Sequence, residues 1–247
     1  MKEDVADRFF AAIDATWPAA RILREGPFTL RDGQGGGKRV SAATAQAPFD
    51  EAEISKAEAG MRGLGQQPLF MIRDGEVELD QMLAGRGYDL VDPVAVMATD
   101  IKNLTDVPIP RLAAFEIWEP LAIMAEIWAK GGIGPARLDV MRRASLKTAI
   151  FARSNQKPAG TGFVAADGEI AMVHAVEVLP EHRRQGVAGW IMREAAQWAE
   201  GQGATKMAVL CTKDNTAALN LYAGLRFEPV TTYHYRQFPK TGDPKNG

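Results

Sequence analysis

The stretch Val178-Leu179-Pro180-Glu181-His182-Arg183-Arg184-Gln185-Gly186-Val187-Ala188 joins two different periodicities. Before it, residues 170–178 are apolar and strand-like; after it, residues 190–200 run on as a helix. A strand that enters a helix through a short turn aims several backbone N–H groups at one spot, with the positive end of the helix dipole behind them. Gly186 lets the backbone come close to a bulky ligand, because no Cβ stands in the way. Arg183 and Arg184 add guanidinium forks beside that spot. The stretch reads as a strand–turn–helix site for a polyphosphate.

Strands at 148–153 and 159–166 are expected upstream, joined by the turn Ser154-Asn155-Gln156-Lys157-Pro158. Asp167-Gly168 is a hairpin signal leading into a central strand at 169–178. Downstream come a β-rich run at 206–211, then Asn215, Ala218, Leu221-Tyr222 and Phe227. Further upstream, Ile117, Leu121, Met124 and Trp128 stand at helical spacing, widened by Trp118, Ile123 and Ile127, which predicts a helix over 115–130. Trp118 and Trp128 read as core packing, with substrate contact as the alternative. Pro135 opens a second helix, running to about Ser145.

The turn Arg-x-x-Gly-x-Ala after a Val-x-Pro strand end resembles the acyl-CoA pyrophosphate loop of the GNAT N-acetyltransferases. The later order Asn215, Ala218, Leu221-Tyr222, Phe227 is similar to that family's Asn-x-x-Ala-x-x-Leu-Tyr followed by Gly-Phe. One departure is visible: Arg226 stands where the family usually has glycine, with Gly224 two positions earlier. The resemblance spans about 148–238. It implies an α+β fold with a mixed, mostly antiparallel twisted sheet flanked by helices, whose strands after Ile170 and Thr205 splay apart to admit the cofactor.

The segment before residue 103 carries further elements. Strands are expected at 28–31 and 39–43, around Asp32-Gly33-Gln34-Gly35-Gly36-Gly37-Lys38. That glycine run is not a P-loop, because Asp32 stands where the first glycine belongs and Arg39 where Ser or Thr should follow. A helix at 49–64, a strand at 68–73, a short helix at 77–83 and a strand entered at Gly87-Tyr88 follow. A helix closing on glycine plus an aromatic residue is also how the later segment ends, at Tyr222 to Phe227. The segment reads as a smaller, partial GNAT-like half or as an unrelated α+β cap. The expected organisation is therefore 1–103 for this piece, a Pro-containing connector at 104–110, an acetyltransferase-like domain at 111–238 and a flexible tail at 239–247.

Composition adds bounds. The 247 residues carry a formal charge of −2 with both signs interspersed, which offers no electrostatic footprint for nucleic acid. The single cysteine, Cys211, excludes an internal disulfide framework and points to the reducing cytoplasm. No secretory-signal pattern and no run near the ~20 apolar residues of a membrane span is present. Three scattered histidines and one cysteine show no metal-ligand spacing, so no metal is expected.

Acetyl transfer from a thioester to an amine needs the donor held, the amine deprotonated, the oxyanion stabilised and the thiolate released. The resemblance assigns acetyl-CoA to Arg183, Arg184, Gln185, Gly186, Val187 and Ala188, with Val176, Val178, Asn215 and Tyr222 as further contacts. It implies an oxyanion-polarising N–H at Val178 and makes Tyr222 the candidate acid; the alternative for Tyr222 is packing of helix on sheet. Asn215 also reads as a helix cap. For the base, His174 is the first candidate, because strict alternation puts it on one face with Val178. Glu177 is the second, on the opposite face unless a bulge intervenes. His182 reads as a surface residue, and His234, between Tyr233 and Tyr235, as a lining residue of an acceptor pocket. The expected activity is direct transfer to a primary amine of a small molecule or an amino terminus, by a monomer or homodimer. A catalytically silent acyl-CoA-binding module is the alternative.

Overall fold

The computed structural model describes residues 2–46 and 48–239; most of the tail expected at 239–247 lies outside them. In chain order the elements are α1 (Lys2–Thr16), β1 (Arg21–Glu25), β2 (Phe28–Asp32), β3 (Thr44–Ala45), α2 (Glu51–Gly63), β4 (Leu69–Arg73), α3 (Val77–Gly85) and β5 (Asp89–Asp100). There follow β6 (Ala114–Ile117), α4 (Ala122–Lys130), α5 (Pro135–Arg143), β7 (Leu146–Ser154), β8 (Lys157–Asp167), β9 (Ile170–Val178), α6 (Val187–Gly201), β10 (Lys206–Thr212), α7 (Thr216–Gly224) and β11 (Glu228–Gln237). The fold class is the expected one: α+β, with antiparallel pairing throughout β6-β7-β8-β9 and a parallel step from β9 to β10.

The chain forms two compact units that are not contiguous in sequence. One comprises the chain up to Pro18 together with Val96–Val230; the other comprises Ala19–Ala95 and the chain from Thr231 onward. This differs from a single division at 104–110. The connector lies inside the first unit, where Arg193 of α6 donates to the Leu104 carbonyl at 2.9 Å and to Asp106 Oδ1 at 2.6 Å.

In the first unit, helices cover both faces of the sheet. α6 presents Val187, Ile191, Ala195 and Ala199, all buried at four-residue spacing, to one face. Gly162 of β8 makes room there, since a Cβ at that position would sit 2.6 Å from Ile191. α1 and α4 pack on β8 and β9; Trp17, just after α1, meets Phe163 of β8 edge-on with centroids 5.9 Å apart. The expected helix over 115–130 is two elements. Residues 114–117 pair with 149–152 as strand β6, and the helix starts only at Ala122. Pro120 explains the break, because proline lacks the N–H and disfavours helical geometry in the residue before it.

The second unit is built on Phe28, Leu30, Ile54, Met61, Phe70, Ile72, Leu79, Leu83 and Tyr88. α2 opens with a reciprocal cap: Glu53 N–H donates to Asp50 Oδ1 at 2.9 Å, and Asp50 N–H to Glu53 Oε2 at 3.0 Å. The strand expected at 39–43 is instead a 3-10 turn at Lys38–Val40 followed by the two-residue β3. Buried Arg31 accounts for the difference, since its Nη1 takes the Ala42 carbonyl at 2.9 Å and Thr44 Oγ1 at 3.1 Å. β4 pairs antiparallel with β11 over Leu69↔Gln237 to Arg73↔Tyr233. Among the described residues no helix is long and apolar enough to cross a membrane.

The two units share one helix ending. Tyr88 N–H reaches the Leu83 carbonyl and Phe227 N–H the Tyr222 carbonyl, both at 3.0 Å. Gly87 (φ +83) and Arg226 (φ +62) hold the same left-handed position. The local likeness seen in sequence is thus also one of backbone geometry, in which Leu83 is the counterpart of Tyr222. Arg226 occupies a conformation that suits glycine, so Arg226→Gly is expected to raise stability by about 0.5–1 kcal/mol. Denaturant unfolding measures this as a higher midpoint at unchanged slope. A lower midpoint would mean that the 3.3 Å bond from Arg226 to Asn103 outweighs the strain.

Candidate functional site

The site sits where β9 ends, and one extra residue in β9 decides its geometry. Val173 pairs with Val164 and His174 with Phe163, but Glu177 pairs with Thr161 and Val178 with Gly160. Three steps along β9 therefore match two along β8, a β-bulge centred on Ala175, whose φ is +53. Alternation is reset by the extra residue. His174 and Glu177 fall on the face shared by Phe163 and Thr161, while Val178 turns to the opposite face, its Cγ2 against Gly160 beside Ile191. This corrects the expectation that His174 and Val178 share a face with Glu177 opposite.

The bulge is held from α4. Fully buried Trp128 donates its indole Nε1–H to the Ala175 carbonyl at 2.7 Å. Three residues later Gly131 closes on the Glu177 carboxylate so tightly that an added Cβ would lie 2.3 Å from its carboxyl carbon. Trp128 is the packing residue expected, and its indole N–H adds a directed contact that no local pattern encodes. Trp128→Phe keeps an aromatic ring but strands a buried carbonyl; a loss of about 1–3 kcal/mol in denaturant unfolding is expected. Unchanged stability would show that the bulge stands without its donor.

His174 and Glu177 share a face but not an environment. His174 is 5% exposed, its Nε2 3.0 Å from Thr16 Oγ1 and its ring packed against Trp17 and Phe163 at 5.0 and 6.2 Å. Glu177 is half-buried and lines a cavity of about 140 Å³ formed by Ile127 and Lys130 of α4, Gly131 just after it, Glu177 to Pro180, and Arg183. Burial pushes its carboxyl above the ordinary carboxylate range, and the nearby Arg183 cation partly opposes the shift.

Beyond Val173↔Val209 the parallel strands β9 and β10 no longer pair, so the strands part along 174–178, where a splay is expected. Leu179 N–H donates to the Ala159 carbonyl at 2.9 Å, on the β8 side. Val178, one residue earlier, points its N–H the other way, toward the opening. Its carbonyl, on that same side, accepts from Arg183 Nε at 3.1 Å.

The basic turn has the form the sequence predicts. After a 3-10 turn at Pro180–His182, Arg184 (φ +57) and Gly186 (φ +82) swing the chain into α6, whose first turn has no side-chain cap. Arg183 to Gly186 are exposed, and Val187 and Ala188 open the helix behind them. Gln185 is part of the turn's own scaffold, accepting from Ser154 Oγ at 3.1 Å and donating to the Glu181 carbonyl at 3.0 Å. Uncapped N–H groups at the start of a fifteen-residue helix, with Arg184 alongside, suit a phosphate, while Arg183 is turned back onto the Val178 carbonyl.

Beyond β10, Asn215 caps α7 by accepting from Ala218 N–H at 3.1 Å. Tyr222, two turns further on, is buried with its ring 5.5 Å from Phe227. Burial raises its phenol well above the ordinary value, and neighbouring Cys211 pushes the same way. His234, by contrast, is bound within the second unit. Its Nε2 lies 2.7 Å from Asp80 Oδ1, a carboxylate also gripped by Arg236 at 2.7 and 2.9 Å. Those contacts, Arg236 foremost, hold Asp80 down to about 2. His234 also lines a cavity of the second unit, with Ile72, Asp80, Thr232 and Tyr233 among its walls. Among the described residues no group of three or more His, Cys, Asp or Glu is placed to hold a metal.

Comparison with known proteins follows the same geography. Residues 116–227 match the model of the Acetyltransferase (GNAT) family. The chain is 25% identical over 232 residues to "Uncharacterized N-acetyltransferase YobR" of Bacillus subtilis (strain 168), covering 90% of this chain and 94% of that protein. A GCN5-related N-acetyltransferase from Kribbella flavida shares the fold with a TM-score of 0.72 at 20% identity, over 95% of this chain and 96% of that one. A tandem GNAT protein from the clavulanic acid biosynthesis pathway shares it with a TM-score of 0.58 at 14% identity, over 78% and 74%.

Proposed function

Because the chain belongs to the GNAT superfamily through residues 116–227, we propose that it transfers an acetyl group from acetyl-CoA directly to a primary amine of a small molecule or an amino terminus. The observation that carries this reading is the bulged end of β9, which sets a proton acceptor, an unpaired-side N–H and a phosphate-binding turn within a few residues of one another. Acetyl-CoA supplies the activated acyl group; the uncapped start of α6 and Arg184 hold its phosphates. Val178 N–H donates to the acyl oxygen as negative charge develops there. Glu177 takes the amine proton, directly or through one water, and Tyr222 returns a proton to the departing sulfur. Glu177 is preferred to His174 because it faces a cavity, whereas His174 is closed in by Thr16, Trp17 and Phe163. The reaction is placed in the reducing cytoplasm, in keeping with the single buried thiol of Cys211.

The test is release of free thiol from acetyl-CoA across amines, amino acids and short peptides. Release above background hydrolysis with one acceptor class is the expected result. Tight acetyl-CoA binding with no release for any acceptor would instead support a silent acyl-CoA-binding module.

A further inference from the structure

The cavity beside Glu177 carries an unbalanced charge. Its charged lining residues are Glu177, Lys130 and Arg183, two cations against one carboxylate. Arg183 is held there, because its Nε donates to the Val178 carbonyl at 3.1 Å. Lys130 is exposed at the last residue of α4, one position before the glycine that meets the Glu177 carboxylate. The remaining walls, Ile127, Val178, Leu179 and Pro180, are apolar.

A simple alkylammonium would enter this space against a net positive lining. An amine that carries its own anionic group balances it, with the nitrogen toward Glu177 and the anion toward Lys130 and Arg183. The two cations also favour the neutral form of the amine, which is the nucleophile. The volume of about 140 Å³ is close to that of a cavity that holds benzene, so the enclosed part of the acceptor has about six non-hydrogen atoms. An α-amino acid head group has that size.

We propose that the acceptor is a small primary amine bearing a carboxylate or phosphate within two or three bonds of its nitrogen, with Lys130 and Arg183 as the residues that select it. This rests on the acyl-transfer reading above and narrows it from amines at large to zwitterionic ones.

Two matched pairs test it: alanine against alaninamide, and O-phosphoethanolamine against ethanolamine, each with acetyl-CoA and followed by thiol release. In at least one pair the anionic member is expected to have a kcat/KM at least about 10-fold higher, the order of one charge-assisted contact. Alaninamide has the less basic amine, so a preference for alanine cannot come from nucleophile ionisation. In Lys130→Met the ratio within that pair is expected to fall to about 3-fold or less, with KM for acetyl-CoA unchanged within about 2-fold. Equal use of both members of both pairs would overturn the proposal and leave acyl transfer standing. So would a Lys130→Met variant that keeps the ratio and raises KM for acetyl-CoA, since the cation would then serve the donor. No release with any of the four, alongside release with another amine or peptide of the wider panel, would overturn the proposal and leave acyl transfer standing; silence across the whole panel would overturn acyl transfer itself.

Discussion

Glu177→Gln lowers kcat by about 10²-fold or more while leaving KM for acetyl-CoA within about 2-fold. The substitution keeps the shape of the side chain that fits against Gly131 and removes only its capacity to accept a proton. The pH profile supplies an independent readout. Burial holds this carboxyl above its ordinary range, near ~4.3, so the ionised base is lost as pH falls through the raised value. The acidic limb of kcat/KM for the wild type should lie above that range and be absent in the variant, measured with an acceptor whose amine is itself weakly basic. Stability moves the other way. A folded-state pKa above the unfolded one means that the native protein binds more protons there, so stability falls as pH rises through that window. At neutral pH Glu177→Gln is therefore as stable as wild type or more so, and an activity loss cannot be put down to unfolding. Wild-type activity in Glu177→Gln with loss in His174→Gln would move the base to the enclosed histidine.

Tyr222→Phe gives the second large effect, a fall in kcat of about 10²-fold with acetyl-CoA affinity retained. The ring is buried against Phe227, and phenylalanine preserves that contact, so only the hydroxyl is lost. A phenol raised by burial stays protonated throughout the neutral and mildly alkaline range. Because the acid form is the active one, no loss of rate on the alkaline side should arise from Tyr222 up to at least its ordinary value of ~10. A donor to the leaving thiolate also has a specific signature. Replacing acetyl-CoA by an acyl donor with a more acidic thiol leaving group should restore part of the lost rate in the variant and change the wild type little. An unchanged kcat would leave Tyr222 as a packing residue, the role that Leu83 has in the second unit.

The basic turn was legible because its chemistry is local: a strand end, two arginines, a glycine at positive φ and a helix start lie within eleven residues. Asn215 was legible for the same reason, as a cap three residues from its donor. The base was not. In Val173 to Val178 apolar residues stand on both sides of the alternation, so nothing in the letters reports that Ala175 is an extra residue. Only pairing with β8 does, and the indole that holds it comes from 47 residues upstream. The false helix over 115–120 arose because Ile117 and Leu121 fit a helical stripe, while Pro120 between them carried the deciding signal. Lys130 was passed over because a lysine at a helix C-terminus has an ordinary reason to be there.

The interleaving of the two units also constrains how this chain is made. Strand β4 is complete by residue 73, but its antiparallel partner, Tyr233 to Gln237, is synthesised about 160 residues later. The same holds for α1, which packs on strands that follow some 140 residues later. On the ribosome, then, α1 and β4 must both wait for later chain. A fragment cut at the connector would lose Thr16 and Trp17 from one unit and the partner of β4 from the other. This protein cannot be divided into working halves by cutting it once.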